Sequence, residues 1–264
     1  MKPIAAVSRV EAPAAEAAVL VENGDGAGDF LILCDHAANH IPRRWGTLGL
    51  KAEDLAGHIA WDIGALDIAR ALARRIDSPL IYPTVSRLVI DCNRPLDAPD
   101  AIARRSETTP IPGNADVSPA DRRTRIATIH EPYHAAIDSL IDARGRVALV
   151  AVHTFTPMFK GEARPWHVGV VCNRDRSLAG RLIAGLKAEP GLVVGANEPY
   201  SPADGVYYTL ARHGEARGQP CAMIEIRNDQ VRTAKARNNW ARLLSRILGT
   251  ASLWDECGRR TAAS

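Results

Sequence analysis

One stretch of the sequence, Leu31-Ile-Leu-Cys-Asp-His-Ala-Ala-Asn-His-Ile-Pro42, gives the clearest indication of the fold. The apolar run from Phe30 to Leu33 predicts a buried strand, and this run stops at an acid, a histidine and small residues. Asp35 and His36 are therefore expected at the carboxyl end of a strand. In open α/β sheets, ligands and catalytic groups collect at that end.

Two later stretches repeat this pattern, Val147–Pro157 and Cys221–Asp229. Each is an apolar run that carries one polar residue near its end, His153 in the first and Glu225 in the second. A single such residue is most often a structural polar group whose hydrogen bonds are satisfied. Three strand ends with this pattern favour a shared site.

Composition limits the class of protein. The chain has 264 residues, is 46% hydrophobic and carries a formal net charge of +3, with no lysine-rich blocks. These values fit one globular domain and argue against nucleic acid as a partner. The sequence contains no uninterrupted apolar run of about 18 residues, the length that would predict a membrane span. The five scattered cysteines lack a Cys-x-x-Cys pair, which disfavours a cysteine zinc site.

The N-terminal 28 residues are rich in Ala and Glu and lack a secretory apolar core. We predict a flexible arm over residues 1–28 and one domain over residues 29–264. The protein is expected to be cytoplasmic, and a monomer or a small homo-oligomer.

Strand-like and helix-like segments alternate after residue 28, which predicts an α/β/α sandwich in three layers with a mixed, largely parallel sheet. The predicted helices cover 62–76, 119–143, 177–188, 206–213 and 233–248. The predicted strands cover 30–33, 80–83, 88–91, 147–153, 167–172, 192–194 and 221–225. The proline-rich segment 94–118 is expected to be a long loop, with residues 96–117 as a candidate lid.

A catalytic zinc ion is usually held by three His or carboxylate ligands, with one position left open. His36, His153 and Asp62, from the first turn of its predicted helix, supply such a set for zinc or another divalent metal. Glu225 could then accept a proton from water and pass it to a leaving nitrogen. This arrangement predicts amide hydrolysis without a protein nucleophile.

Other assignments stay open. Asp62 also fits a helix-opening acid stabilised by the macrodipole, and Asn39 or Asp35 would then be the third metal partner. A nucleophilic Ser86 or Cys34 is possible, although no Gly-x-Ser-x-Gly motif is present. Other histidines that could compete as ligands are His40, His58, His130, His134, His167 and His213.

Six motifs in this order resemble the N-formylglutamate amidohydrolase family, and the similarity runs from about residue 30 to 248. They are Asp35–Pro42, Trp61–Ala65, Ser86–Pro95, Val152–Pro157, Asn197–Tyr200 and Ile224–Asp229. The resemblance implies a phosphorylase/hydrolase-like fold related to zinc exopeptidases, and a more distant similarity to zinc-dependent N-acetylmuramoyl-L-alanine amidases. Members that act in histidine degradation typically have Pro-His-Ser-Gly where this chain has Asp-His-Ala-Ala at 35–38, so the substrate can differ.

The expected activity is hydrolysis of a small anionic N-acyl, above all N-formyl, amino acid such as N-formylglutamate, to release formate and the amino acid. Arginine suits the substrate carboxylate because its planar fork binds it bidentately. Arg94 is the first choice for this contact, and the other substrate-binding candidates are Arg87, Asn93, Arg227 and His213. Two alternatives are a peptide or peptidoglycan-type amidase with the same metal centre and a non-catalytic binding protein on this fold.

Overall fold

The computed structural model describes residues 17–249. Its strands are β1 (Val19–Glu22), β2 (Phe30–Leu33), β3 (Leu80–Pro83), β4 (Arg105–Ser106), β5 (Thr109–Pro110), β6 (Ala148–Phe155), β7 (Met158–Phe159), β8 (Glu162–Ala163), β9 (Val168–Val171), β10 (Val194–Ala196) and β11 (Cys221–Arg227). Its α-helices are α1 (Ala52–Ala56), α2 (Ala65–Arg75), α3 (Pro119–Arg125), α4 (Glu131–Arg144), α5 (Ser177–Lys187), α6 (Tyr208–His213) and α7 (Ala234–Gly249). A π-helical turn, Ile126–His130, joins α3 to α4.

Seven strands form one sheet in the order β1-β3-β2-β6-β11-β9-β10. The four central strands, β3, β2, β6 and β11, are parallel to one another. β1 pairs antiparallel with β3, and β9 pairs antiparallel with β11. The carboxyl ends of β2, β6 and β11 therefore meet at one edge of the sheet, as the three sequence patterns predicted.

Both faces of the sheet are covered, which confirms the three-layer prediction. Phe30 and Ile32 of β2 pack in one apolar cluster with helices α2, α5 and α7, whereas Leu31 and Leu33 pack in a second cluster with α4. Strands buried on both faces are continuously apolar because neither face meets water. Among residues 17–249, no helix is long and apolar enough to span a membrane.

The structure corrects several predicted elements, among them the strand predicted over 192–194, which is β10 at Val194–Ala196. Helix α2 begins at Ala65, so Asp62 lies in the preceding turn and not in the helix. Gly64 ends that turn with φ 84, a left-handed conformation that favours glycine. Residues 88–91 form a turn instead of a strand, and side chains of Asn114 and Arg125 donate to the carbonyls of this turn. Val19–Glu22 of the predicted arm is strand β1, and residues 1–16 lie outside the described range.

The long loop after residue 94 contains the β4–β5 ribbon and is fixed at its base. Asn114 donates to the carbonyl of Ala103, and buried Arg125 donates to the Asn114 side chain at 2.7 Å. Arg94 and Asp100 form an ion pair across the start of the loop at 2.7 Å. The ribbon is the more exposed part of this segment.

Candidate active site

Three adjacent parallel strands bring the predicted residues together. β11 pairs with β6 so that Glu225 lies directly beside His153. β2 lies on the other side of β6, and its end delivers Asp35 and His36. None of these four residues is more than 5% exposed, so the cluster is buried.

The three predicted metal ligands, His36, Asp62 and His153, converge on one point. The Nδ1 atoms of His36 and His153 lie 3.4 and 2.9 Å from Asp62 Oδ2. One ligand atom from each of the three residues lies within 4.8 Å of the others. The backbone explains how Asp62 reaches the site from outside the sheet, because the Asp62 amide donates to the His36 carbonyl at 2.9 Å.

The outer nitrogen of each imidazole bonds to a buried carboxylate. His36 Nε2 lies 2.8 Å from Asp91 Oδ1, and His153 Nε2 lies 2.9 Å from Asp35 Oδ2. The Arg87 guanidinium donates to His36 Nδ1 at 3.1 Å, so the network assigns the lone pair of His36 to Nδ1 and its proton to Nε2. Metal-binding histidines usually donate their second N–H to a carboxylate or carbonyl in this way.

Sequence reasoning missed Asp91 as a partner of His36. The available signal was an acid that follows the apolar run at residues 88–90 and lies inside one of the six family-like motifs. Asp35 is predicted at the strand end and as a possible third metal partner, but its contact with His153 is not predicted. In the structure its second oxygen accepts hydrogen bonds from Tyr133 at 2.9 Å and Thr209 at 2.6 Å, which fixes the carboxylate against His153.

The electrostatics of the cluster favour positive charge at the point where the ligand atoms converge. Burial alone would lower the pKa of both imidazoles, but Asp91 raises the pKa of His36, and Asp35 with Asp62 raises that of His153 well above its usual value. Burial would likewise raise the pKa of Asp62, yet Arg87 and His36 hold it well below its usual range. A cation at this point would supply the positive charge that the surrounding carboxylates favour.

Two buried carboxylate oxygens in the cluster, Asp62 Oδ1 and Glu225 Oε2, have no hydrogen-bond partner among the described residues. Burial and the Asp62 carboxylate raise the pKa of Glu225 to about 7. The nearby His58 imidazole stays neutral, because burial lowers its pKa to about 4. Two imidazoles and one carboxylate fit a divalent cation, and Glu225 is suited to take up a proton near neutral pH.

The predicted substrate contacts lie in different environments. Arg87 and Arg94 both line a cavity of about 390 Å³ beside the cluster, together with His58, Asp91 and Tyr200. A second cavity of about 480 Å³ shares Arg94, Phe159 and Tyr200 with the first and also contains Arg164. The two cavities are therefore neighbours, and the first of them lies beside the cluster at Asp91.

The three other predicted contacts are bound within the protein, and none of them lines either cavity. The Asn93 side chain donates to the Val206 carbonyl and accepts from the Thr209 amide. Both ring nitrogens of buried His213 have partners, His134 and Asp138. Arg227 pairs with Asp229 at 2.8 Å and donates to the carbonyls of Arg164 and Pro165. These side chains have few groups left for a substrate.

The sheet and the cluster at its carboxyl edge define an α/β protein with a candidate metal centre and a buried carboxylate beside it. The sequence profile of the N-formylglutamate amidohydrolase family matches residues 28–232. The chain belongs to this family, and its members are hydrolases that act on amides. No curated protein matches the chain significantly.

Solved structures agree with this fold. The gene product Atu2144 from Agrobacterium tumefaciens is 40% identical, with a TM-score of 0.85 over 88% of this chain and 94% of that one. N-formylglutamate amidohydrolase from Ralstonia eutropha JMP134 is 18% identical, with a TM-score of 0.63 over 89% and 98% of the two chains, and supports the fold alone. N-acetylmuramoyl-L-alanine amidase from Clostridium difficile 630 has a TM-score of 0.38, which is too low to support an argument.

Proposed function

We propose that this protein is a zinc-dependent amidohydrolase that removes the acyl group, preferably formyl, from a small anionic N-acyl amino acid such as N-formylglutamate. His36, Asp62 and His153 would hold the metal, and Glu225 would act as general base. The convergence of both Nδ1 atoms on Asp62, with both Nε2 atoms on carboxylates, is the observation that carries the proposal.

Zinc at this position would supply Lewis-acid chemistry, which polarises the amide carbonyl and lowers the pKa of a water molecule. Glu225 would accept a proton from the attacking water at Oε2 and deliver it to the departing nitrogen as the C–N bond breaks. The water oxygen ends in formate, and the nitrogen leaves as the free amine. Asp35 and Asp91 would fix the orientation of the two imidazoles throughout.

Two observations support the proposed substrate class, the arginines that line the cavity beside the cluster and the family to which the chain belongs. Arg87 and Arg94 line the cavity beside the cluster and suit an anionic substrate. Arg87 contacts Asp62 at 3.3 Å, so its first role would be to hold the cluster together. The cytoplasmic location, the absence of nucleic-acid and membrane partners, and a monomeric or small oligomeric state remain predictions.

Activity assays on zinc-loaded protein test this proposal. We expect turnover of N-formyl amino acids, with N-formylglutamate among the best, and little turnover of muropeptides. Formate release is measured with a coupled dehydrogenase, before and after removal of the metal with a chelator. Hydrolysis of muropeptides in preference to formyl compounds would favour the peptidoglycan-type amidase, and the absence of any turnover would favour a binding protein.

Replacement of the outer carboxylates should weaken the metal site without destroying it. In Asp91→Asn and Asp35→Asn the imidazole loses its charged partner, and we expect zinc affinity to fall by about 10- to 100-fold. Competition with a fluorescent chelator measures the dissociation constant. Unchanged affinity in both variants would show that these carboxylates do not support the metal ligands.

A further inference from the structure

Arg164 is a buried arginine without an ion-pair partner among residues 17–249. Only 8% of the residue is exposed. Its guanidinium lies over the rings of Phe159, Tyr200 and Phe155, at 4.4, 4.8 and 5.6 Å from the ring centroids. Nη1 donates to the Tyr200 hydroxyl at 3.1 Å. Within residues 17–249, no carboxylate forms an ion pair with this side chain.

The arginines around Arg164 differ from it in this respect. Arg94 pairs with Asp100, Arg227 with Asp229, and Arg87 with Asp62. A buried charge is costly unless a counter-charge or hydrogen bonds compensate it. The aromatic rings offset part of this cost. Most of the five N–H donors of Arg164, however, have no hydrogen-bond acceptor among the described residues. This pattern is expected of a side chain whose counter-charge arrives with a ligand.

The position of Arg164 fits a substrate that also reaches the metal cluster. Arg164 lines the second cavity, which shares Tyr200 with the cavity beside the cluster. Burial raises the pKa of the Tyr200 hydroxyl, the Glu225 carboxylate raises it further, and Arg164 opposes the shift. Tyr200 is therefore within electrostatic reach of both the general base and Arg164.

Three acids also line the second cavity, Glu162, Glu198 and Asp204, and all are exposed. Solvent screens exposed charges strongly, so they compensate a buried guanidinium poorly. Asp204 is in addition bonded to the Ser201 amide and hydroxyl.

We propose that Arg164 binds a carboxylate of the substrate, with its guanidinium held in place by the rings of Phe155, Phe159 and Tyr200. The inference rests on the proposed function, because it assigns the substrate of that same site. The stacked rings fix the guanidinium plane, so the fork is ready for bidentate contact with a carboxylate. Arg164 would then determine the preference for anionic over neutral N-formyl compounds.

Arg164→Met tests this inference, because methionine retains much of the apolar bulk between the rings and removes the charge. Binding is measured by calorimetry in a Glu225→Gln background, which suppresses turnover. The probes are N-formylglutamate and its two monoamides, N-formylisoglutamine and N-formylglutamine. Each amide replaces one carboxylate by a neutral group of similar size.

We expect Arg164→Met to weaken binding of N-formylglutamate by about 10- to 100-fold, because charge-assisted hydrogen bonds are lost. For the monoamide that lacks the contacted carboxylate, the change should be less than about twofold. Arg164→Lys keeps the charge but not the fork, and its loss should be intermediate. Equal weakening of all three probes, or none, would overturn the inference.

Arg70→Met is a matched control. Arg70 also lies over a tyrosine ring, that of Tyr82 at 5.1 Å, and donates to its hydroxyl at 2.6 Å, but it pairs with Glu22 at the far edge of the sheet. This variant should leave the binding of all probes unchanged, and melting temperatures report folding of each variant. If the wild type turns over formyl compounds normally and binding does not depend on Arg164, only the inference about Arg164 is contradicted. If binding depends on Arg164 but the wild type shows no turnover, only the proposed reaction is contradicted.

Discussion

Glu225→Gln is expected to lower kcat by about 10²- to 10⁴-fold, the usual contribution of a positioned general base. Glutamine keeps the size and hydrogen-bonding capacity of the side chain but cannot take up a proton. Zinc content should remain stoichiometric, because Glu225 lies beside the three proposed ligands and is not one of them. Steady-state kinetics and elemental analysis of the same preparation measure both quantities.

The structure disfavours a purely structural role for Glu225. Arg227, the arginine nearest in sequence, pairs with Asp229 instead, and Glu225 Oε2 has no hydrogen-bond partner among the described residues. A structural ion pair would instead give a lower melting temperature with near-normal turnover. Asp229→Asn, a carboxylate-to-amide change in the helical turn that follows the same strand, serves as the control and should leave kcat largely unchanged. Near-normal kcat in zinc-loaded Glu225→Gln would contradict the proposed role of Glu225 as general base.

His36→Ala and His153→Ala should each lose most of the bound zinc and nearly all activity. Removal of either imidazole leaves two of the three proposed protein ligands, and catalytic zinc sites usually have three. Because a metal that binds only the folded state stabilises it, a chelator should lower the melting temperature of the wild type and leave that of the variants almost unchanged. Elemental analysis after dialysis and thermal melts with and without chelator check these results.

His167→Ala is a suitable control for the two ligand variants. Its Nδ1 accepts a hydrogen bond from the Val193 amide at 3.1 Å, outside the metal cluster. This variant should keep stoichiometric zinc and the response to chelator. Stoichiometric zinc in both His36→Ala and His153→Ala would show that these histidines do not form the zinc site.

The strand ends could be predicted because strands buried on both faces leave continuous apolar runs. The polar residues at the ends of those runs, His36, His153 and Glu225, then identify the edge of the sheet that carries the candidate site. Asp62 was identified correctly as a member of the cluster but placed in a helix, because the left-handed turn at Gly64 precedes the apolar periodicity of α2. The spacing of apolar residues does not show at which residue a turn ends and a helix begins.

Asp91 and Arg164 were harder to identify because loops position them. Asp91 reaches His36 from a turn whose carbonyls bond to the side chains of Asn114 and Arg125, which follow it by more than 20 residues. Arg164 follows a two-residue strand, and its aromatic neighbours come from three separate segments. Local sequence patterns carry no information about such long-range contacts.

The central claim is that His36, Asp62 and His153 together hold one zinc ion. Anomalous diffraction at the zinc absorption edge, from crystals of the zinc-loaded protein, tests it most directly. We expect one strong peak between the two Nδ1 atoms and the Asp62 carboxylate, with Zn–N distances of about 2.0–2.1 Å. A fully loaded crystal with its zinc peak elsewhere, or with no peak at this cluster, would show that these three residues do not hold the metal.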